Sequence, residues 1–194
     1  MAPDSKFIPA SCTSPKPTHL GPTGSIRFLM RIFELSTELW LPRPREEIFP
    51  FFADARNLEK ITPGWLKFEV LTPPPIVMRP GALIDYRIRL RGLPMGWRTE
   101  FSVWEPPFRF IDQQLRGPYR QWIHEHRFEP SDGGTRCLDH VRYAVLGGAL
   151  VNRFFVRNDV ERIFAHRQKV LLDLFGPRAA MKSNVVHPVP TPST

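Results

Sequence analysis

One long amphipathic helix at the carboxyl end of a strand-rich chain is the feature that most constrains the fold. Residues 149–175, ALVNRFFVRNDVERIFAHRQKVLLDLF, place Val160, Phe164 and Leu171 on one apolar face of a helix and charged residues on the other. The chain before this helix breaks into short alternating segments between turns rich in Pro and Gly. A sheet built from such segments needs a cover for its apolar face, and only this helix is large enough to supply one.

The segments before the helix predict seven strands, with two short helices after the first strand. The first strand covers residues 31–41 and is followed by a helix from Pro44 that Pro50 limits to about two turns. Residues 54–62 predict the second short helix. An α+β fold is therefore expected, in which a seven-stranded antiparallel sheet wraps around the long carboxyl-terminal helix, as in a helix-grip. The other strands are predicted over residues 66–72, 82–92, 96–105, 108–117, 120–130 and 135–146, with SDGG as a hairpin turn.

The two ends of the chain lack the apolar periodicity of its middle. Residues 1–30 and 177–194 are rich in Pro, Ser and Thr, a composition typical of disordered segments. The sequence therefore predicts one domain over residues 31–176 between two disordered tails. Met30 begins the patterned region, so Met1 and Met30 are both candidates for the true start.

The positive charge of the chain does not predict a nucleic-acid binder. The formal net charge is +8, and the tails carry half of it with five basic residues against one acid. The arginines of the middle region are scattered along strands, whereas nucleic-acid binders concentrate basic residues on one face. We therefore expect no nucleic-acid partner.

The cysteines and the apolar runs bear on the location of the protein. Cys12 lies in a predicted tail and Cys137 in a predicted strand, so no disulfide is expected and a reducing cytoplasm fits. No apolar run approaches the roughly 20 residues that a membrane-spanning helix needs. Phe154 and Phe155 stand beside basic residues at the start of the long helix, which allows at most peripheral membrane contact.

Polar residues on the inner faces of the predicted strands form the candidate site. In QWIHEHRF the alternation places His124 and His126 on the same face as Trp122. Arg167 lies within the apolar arc of the long helix, where a guanidinium needs a partner, and Asp112 or Asp139 across the cavity is the expected one. The residues predicted to bind a ligand are Tyr86, Trp97, Phe101, Phe110, Gln114, Trp122, His124, His126, Asp139, Tyr143, Phe164 and Arg167.

Three roles for this polar stripe stay open. The buried acids, histidines and arginine can form a purely structural network. They can also orient a ligand within an apolar pocket. The third role is acid/base catalysis, with His124 or His126 as the proton carrier held by Asp139. Two histidines at i and i+2 with Asp139 can also ligate a metal, but without a Cys pair or HExxH we predict neither a metal nor a cofactor.

Residues 32–175 resemble the START-like, polyketide cyclase/dehydrase-like SRPBCC superfamily, which has the helix-grip fold. Some of its members are named coenzyme-Q-binding START domains. The resemblance implies a hydrophobic cavity between sheet and helix that holds a lipid-like or aromatic small molecule. It does not imply one reaction, because this fold hosts carriers, sensors and enzymes. It rests on LPRPREEIFPFFADARNLEKITP, GALIDYRIRLRGLPMGWRTEF, GPYRQWIHEHRF, GGTRCLDHVRY and FFVRNDVERIFAHR.

The expected function is the binding, as carrier or sensor, of a hydrophobic small molecule such as a lipid, an isoprenoid quinone or an aromatic polyketide. One alternative is a polyketide cyclase or dehydratase that uses a His/Asp proton relay. Another is a regulatory interaction module with a vestigial pocket. The sequence favours a protein that is not an enzyme, without deciding the point, and it names neither the ligand nor the oligomeric state.

Overall fold

A seven-stranded antiparallel sheet forms the body of the protein. The computed structural model describes residues 30–176, so the tails predicted to be disordered lie outside the described residues. The strands follow one another in the order β1-β7-β6-β5-β4-β3-β2, and every neighbouring pair is antiparallel. They are β1 (Phe33–Leu41), β2 (Glu69–Val70), β3 (Ala82–Leu90), β4 (Leu93–Glu105), β5 (Arg109–Arg116), β6 (Gln121–Ser131) and β7 (Gly134–Ala144).

The helices occupy two places in the chain order. Between β1 and β2 lie α1 (Arg45–Ala53), α2 (Asn57–Lys60) and a 3₁₀ turn (Gly64–Leu66). After β7 come α3 (Gly148–Val151), a π-helical turn (Asn152–Val156) and α4 (Arg157–Phe175). Val160, Phe164 and Leu171 of α4 are buried, so its apolar face covers the sheet. This arrangement confirms the predicted helix-grip α+β fold.

Two tight hairpins fix the register of the central strands. Arg91 and Gly92 have φ angles of 51° and 83°, and Asp132 and Gly133 have φ angles of 49° and 74°. Positive φ at both central residues is the pattern of a type I′ turn, which favours Asp-Gly because Gly has no Cβ to clash. The hairpin predicted at SDGG is present, and the other turn lets β4 begin at Leu93, ahead of the predicted residue 96.

Two elements differ from their predictions. The strand predicted over residues 66–72 is reduced to Glu69–Val70, because Leu66 belongs to the 3₁₀ turn and Lys67 adopts a left-handed φ of 45°. The single helix predicted over residues 149–175 is interrupted by the π-helical turn. Asn152 is buried in that turn and accepts a 2.9 Å hydrogen bond from the hydroxyl of Tyr143.

The core consists of two apolar clusters on the inner face of the sheet. One surrounds Phe49, Phe128 and Leu171, and the other surrounds Trp122 and Val160. T-shaped ring contacts such as Phe49 with Phe128, with centroids 5.3 Å apart, hold α1 against β6. The candidate site lies where these two clusters meet.

None of the helices in residues 30–176 is long and apolar enough to cross a membrane. Cys137 is buried in β7 with a free thiol, and burial raises the pKa of that thiol. Cys12 lies outside the described residues, so the expectation that the chain has no disulfide stays a prediction.

Candidate functional site

A cavity of about 140 Å³ lies between the inner face of the sheet, α4 and the segment that holds the short helices. Aromatic rings dominate its sheet and α4 walls, and aliphatic residues of the α2 region complete them. Burial of a ligand against such walls is favourable because it removes apolar surface from water. The main apolar contributors are Phe52, Leu58, Ile61, Phe68, Tyr86, Trp97, Phe101, Phe110, Tyr119, Trp122 and Phe164.

Nine of the twelve predicted ligand-binding residues line this cavity. Their side chains come from β3, β4, β5, β6 and α4, which places residues far apart in sequence around one space. The burial of His124, His126 and Trp122 shows that the inner face of β6 was assigned correctly by strand alternation. The nine residues are Tyr86, Trp97, Phe101, Phe110, Trp122, His124, His126, Phe164 and Arg167.

The other three predicted residues, Gln114, Tyr143 and Asp139, are not among the lining residues. The amide of Gln114 donates a 2.7 Å hydrogen bond to the carbonyl of Tyr119 and accepts one from its N–H, so it closes the β5–β6 turn. The hydroxyl of Tyr143 donates its hydrogen bond to Asn152. Asp139 contacts both histidine rings from β7. These side chains are directed by local hydrogen bonds that strand alternation does not reveal.

Two buried histidines and two partly buried acids form a compact His–Asp cluster at one wall of the cavity. Oδ1 of Asp139 lies 2.9 Å from Nε2 of His124 and 2.9 Å from Nδ1 of His126. Oδ2 of Asp112 lies 3.4 Å from Nδ1 of His124 and 3.3 Å from Nε2 of His126. Each ring therefore stands between the same two carboxylates. Thr37 donates a further 3.3 Å hydrogen bond to Asp139.

Sheet register explains why these four side chains meet. Asp112 is directly opposite His124 across β5 and β6, and His126 is directly opposite Asp139 across β6 and β7. Directly opposed side chains on one face of a sheet lie close enough to interact. The two imidazole rings lie with centroids 3.7 Å apart at an interplanar angle of 40°, and Phe110 stacks on His126 at 4.1 Å.

The two histidines differ in protonation although they share their acids. Burial, followed by the neighbouring charge of His126, lowers the pKa of His124 to about 4. Burial also opposes protonation of His126, but its hydrogen bonds to Asp112 and Asp139 outweigh burial and raise its pKa. Charge on one ring disfavours charge on the other, so His126 takes up a proton more readily than His124. A neutral His124 has one N–H to donate, and its 2.9 Å contact with Asp139 is that bond.

The two acids of the cluster remain ionised in spite of their burial. Burial raises the pKa of Asp139, but hydrogen bonds from His124 and His126 hold it well below its ordinary value. Burial likewise opposes ionisation of Asp112, and the charges of His124, His126 and Arg167 with the His126 hydrogen bond lower its pKa. The wall therefore offers ring nitrogens and carboxylates that can exchange a proton within one cluster.

Arg167 does not form the ion pair that the sequence led us to expect. Its side chain is 8% exposed, and its Nε has no hydrogen-bond partner among residues 30–176. No carboxylate of the described residues comes within 4.0 Å of its nitrogens. Asp112 and Asp139 are engaged by the histidines instead, and Cζ of Arg167 lies 4.9 Å from the ring centroid of Phe164.

Three groups of the cluster have a spacing that a metal ion can use. Asp112, His124 and His126 each offer one ligand atom, and these atoms lie within 4.8 Å of one another. Two nitrogens and one carboxylate oxygen are a ligand set that divalent transition metals accept. The same groups also lie within 2.9 to 3.4 Å of a neighbouring ring nitrogen or carboxylate oxygen.

Sequence reasoning missed part of the cavity wall. Leu58 and Ile61 line the cavity from the α2 region, and Tyr119 lines it from the β5–β6 turn. The i, i+3 spacing of Leu58 and Ile61 was a usable signal for one apolar helix face. Tyr119 follows Gly117-Pro118 in a turn, where alternation gives no direction for a side chain.

Residues 41–165 match the family model described as polyketide cyclase/dehydrase and lipid transport. The chain belongs to this family. The match covers β3 to β7 and the first half of α4, so it contains the whole His–Asp cluster and Phe164, whereas Arg167 lies just beyond it. Family membership and the apolar cavity together support a protein that binds a hydrophobic small molecule. The comparison with curated proteins finds no match.

Solved structures with low sequence identity share the fold. Protein CV1439 from Chromobacterium violaceum has a TM-score of 0.58 at 17% identity, over 75% of this chain and 99% of its own. The ginseng major latex-like protein 151 from Panax ginseng has a TM-score of 0.57 at 8% identity, over 75% and 99%. Protein Ms6760 from Mycobacterium smegmatis has a TM-score of 0.55 at 20% identity, over 73% and 90%. These similarities establish the architecture alone.

Proposed function

We propose that this protein is a carrier or sensor that reversibly binds a hydrophobic small molecule, such as a lipid, an isoprenoid quinone or an aromatic polyketide, in the cavity between the sheet and α4. The observation that carries the proposal is the open, mostly aromatic cavity in a family associated with such ligands. A regulatory module with a vestigial pocket would be expected to have a collapsed cavity, so the open space favours ligand binding.

The size of the cavity bears on which part of the ligand is buried. Its volume of about 140 Å³ is close to that of an engineered apolar cavity of about 150 Å³ that binds benzene. About one aromatic ring, or an equivalent length of chain, therefore fits without a change of shape. A longer lipid or quinone tail would extend through the opening beside α2.

Two measurements test the proposal. Native mass spectrometry and organic extraction of protein purified from its own host should reveal a bound apolar molecule. Titration with the neutral fluorescent probe N-phenyl-1-naphthylamine should give saturable binding, which Leu58→Trp weakens about tenfold or more by filling the cavity. Leu115→Trp is the matched control, because Leu115 is 54% exposed on β5 and does not line the cavity. Equal probe affinity in both variants, with nothing extracted, would refute the proposal.

A cyclase or dehydratase activity is the second candidate, favoured by the His–Asp cluster at the cavity wall. His126 and His124 both line the cavity, and both contact Asp139 at 2.9 Å, so a ring with a raised pKa and a ring with a lowered pKa lie side by side. Such an enzyme would lose about 10²-fold or more of its turnover of a linear poly-β-ketone thioester in His126→Asn. A carrier would show no turnover in the wild type, and the variant would still bind the probe.

The proposal includes at most peripheral membrane contact for a cytoplasmic protein. Leu150 and Phe154 are 70% and 64% exposed at the start of the terminal helical segment, and Arg153 lies next to them. An apolar patch with a basic neighbour suits transient contact with an anionic lipid surface. Sedimentation with vesicles that contain anionic lipid would test this part of the proposal separately from the cavity.

A further inference from the structure

A buried guanidinium without a partner is the least satisfied polar group of the cavity. Arg167 is 8% exposed, lines the cavity and leaves Nε without a hydrogen-bond partner in residues 30–176. Withdrawal of a charge from water costs free energy that is recovered only when the charge is paired and hydrogen-bonded. An arginine guanidinium keeps its charge at any pH that the protein meets, so it cannot relieve this cost by deprotonation.

The neighbours of Arg167 do not supply the missing partner. The carboxylates of Asp112 and Asp139 are held by the two histidine rings at 2.9 to 3.4 Å. Phe164 offers its ring face at 4.9 Å, which stabilises a cation only in part. No group of residues 30–176 pairs with this guanidinium, so a molecule that occupies the cavity is the candidate partner.

We infer that the cavity takes a planar aromatic carboxylic acid, whose carboxylate pairs with Arg167 while its ring lies among Trp97, Phe110 and Trp122. A carboxylate matches the planar fork of donors that arginine presents. A phosphate group carries more charge and normally needs several donors, whereas the cavity offers one free guanidinium. This inference rests on the proposed function and narrows its ligand class.

A matched pair of ligands tests the inference. The probes are benzoate and acetophenone, which have the same single ring and nearly the same shape but differ in charge. Their affinities are measured by isothermal titration calorimetry at pH 7 for the wild type, Arg167→Met, Arg167→Lys and Arg162→Met. Arg162 is the matched control because it is an exposed arginine of the same helix that lies against Trp65 and does not line the cavity.

The wild type should bind the acid about tenfold or more tightly than the ketone, because hydrogen bonds to charged groups are among the stronger ones. Arg167→Met should abolish this preference by lowering the affinity for the acid much more than the affinity for the ketone. Arg167→Lys, which keeps the charge but loses the planar fork, should retain part of the preference. Arg162→Met should behave as the wild type. Thermal unfolding checks that each variant is folded, and Arg167→Met is expected to fold because it removes an unpaired buried charge.

The failures of the inference and of the proposed function are distinguishable. Ketone binding without a preference for the acid, or a preference that survives Arg167→Met, would overturn the inference and leave the apolar pocket intact. Absence of binding of the acid, the ketone and N-phenyl-1-naphthylamine to the folded wild type would overturn both.

Discussion

The two faces of β6 carry the same kind of charge pairing in opposite surroundings. On the outer face Glu125 accepts hydrogen bonds from Arg127 at 2.8 Å and from Arg109 at 3.2 Å, close to solvent. On the inner face its neighbours His124 and His126, whose side chains are 4% and 7% exposed, contact two partly buried acids. Glu125 is thus paired with arginines that reach solvent, whereas the partners of the inner acids are buried.

The outer and inner groups should differ in how strongly each charge depends on its partners. Solvent screens the charges of exposed pairs, which contribute roughly 0 to 1 kcal/mol each. Buried charges lose hydration, so removal of one partner leaves the rest uncompensated at a cost of about 3 to 5 kcal/mol. The comparison therefore predicts large effects on the inner face and small ones on the outer face.

Asp139→Asn should give the largest effect, because it removes a carboxylate that contacts both histidine rings. In this variant Asp112, at 3.3 Å, is the remaining acid beside His126. We expect the free energy of unfolding to fall by about 3 kcal/mol at pH 7, measured by urea denaturation. A loss below about 1 kcal/mol would mean that the inner cluster behaves like a surface pair and that the contrast between the faces is wrong.

His124→Asn should flatten the acid limb of the stability profile. The pKa of His124 is lowered to about 4 in the folded protein, so between about pH 6.5 and pH 4 the unfolded chain takes up a proton that the native state refuses. This difference lowers wild-type stability by up to about 1.4 kcal/mol for each pH unit of acidification. Urea midpoints from about pH 4.5 to about pH 9 compare the wild type with the variant.

In the same experiment, His126 should change stability with pH in the direction opposite to that of His124. Its pKa is raised on folding, so its stabilisation is fully present below its ordinary pKa and is lost as the pH rises through the raised value. His126→Asn should therefore flatten the alkaline limb rather than the acid one. Identical pH profiles for His124→Asn and His126→Asn would show that the two rings are equivalent. That result would contradict the opposite directions in which folding shifts their pKa values.

Glu125→Gln should give the smallest effect, because it is the matched loss of an acid on the outer face. We expect the free energy of unfolding to change by about 1 kcal/mol or less, and the change should shrink further in 1 M salt. Urea denaturation at low and high salt measures both values. A salt-independent loss as large as that of Asp139→Asn would erase the difference between the faces.

The architecture was predictable because its signals are local. Alternation placed Trp122, His124 and His126 on the buried face of β6, and helical periodicity placed Phe164 and Leu171 on the buried face of α4. Both periodicities persist over long segments, and one face of each must be covered. The fold of the sheet around the helix follows from these two patterns.

The contacts within the site were less predictable because they depend on strand register and on competing hydrogen bonds. Asp112 meets the histidines only because β5 pairs with β6 in a register that sets it opposite His124. Gln114 lies on the strand just before a turn, and the turn takes its amide. Arg167 was expected to pair with an acid, but the histidines bind both acids. Such competition is decided in three dimensions, so no sequence period reports it.

The π-helical turn Asn152–Val156 sets the rotational phase of everything that follows it in the chain. Such a turn amounts to one extra residue in an α-helix, and each residue advances the helix by about 100°. Loss of a single residue there would turn Phe164 and Arg167 about a quarter of a revolution away from the sheet. The orientation of the α4 side chains that line the cavity thus depends on a local irregularity at the start of the same helical segment.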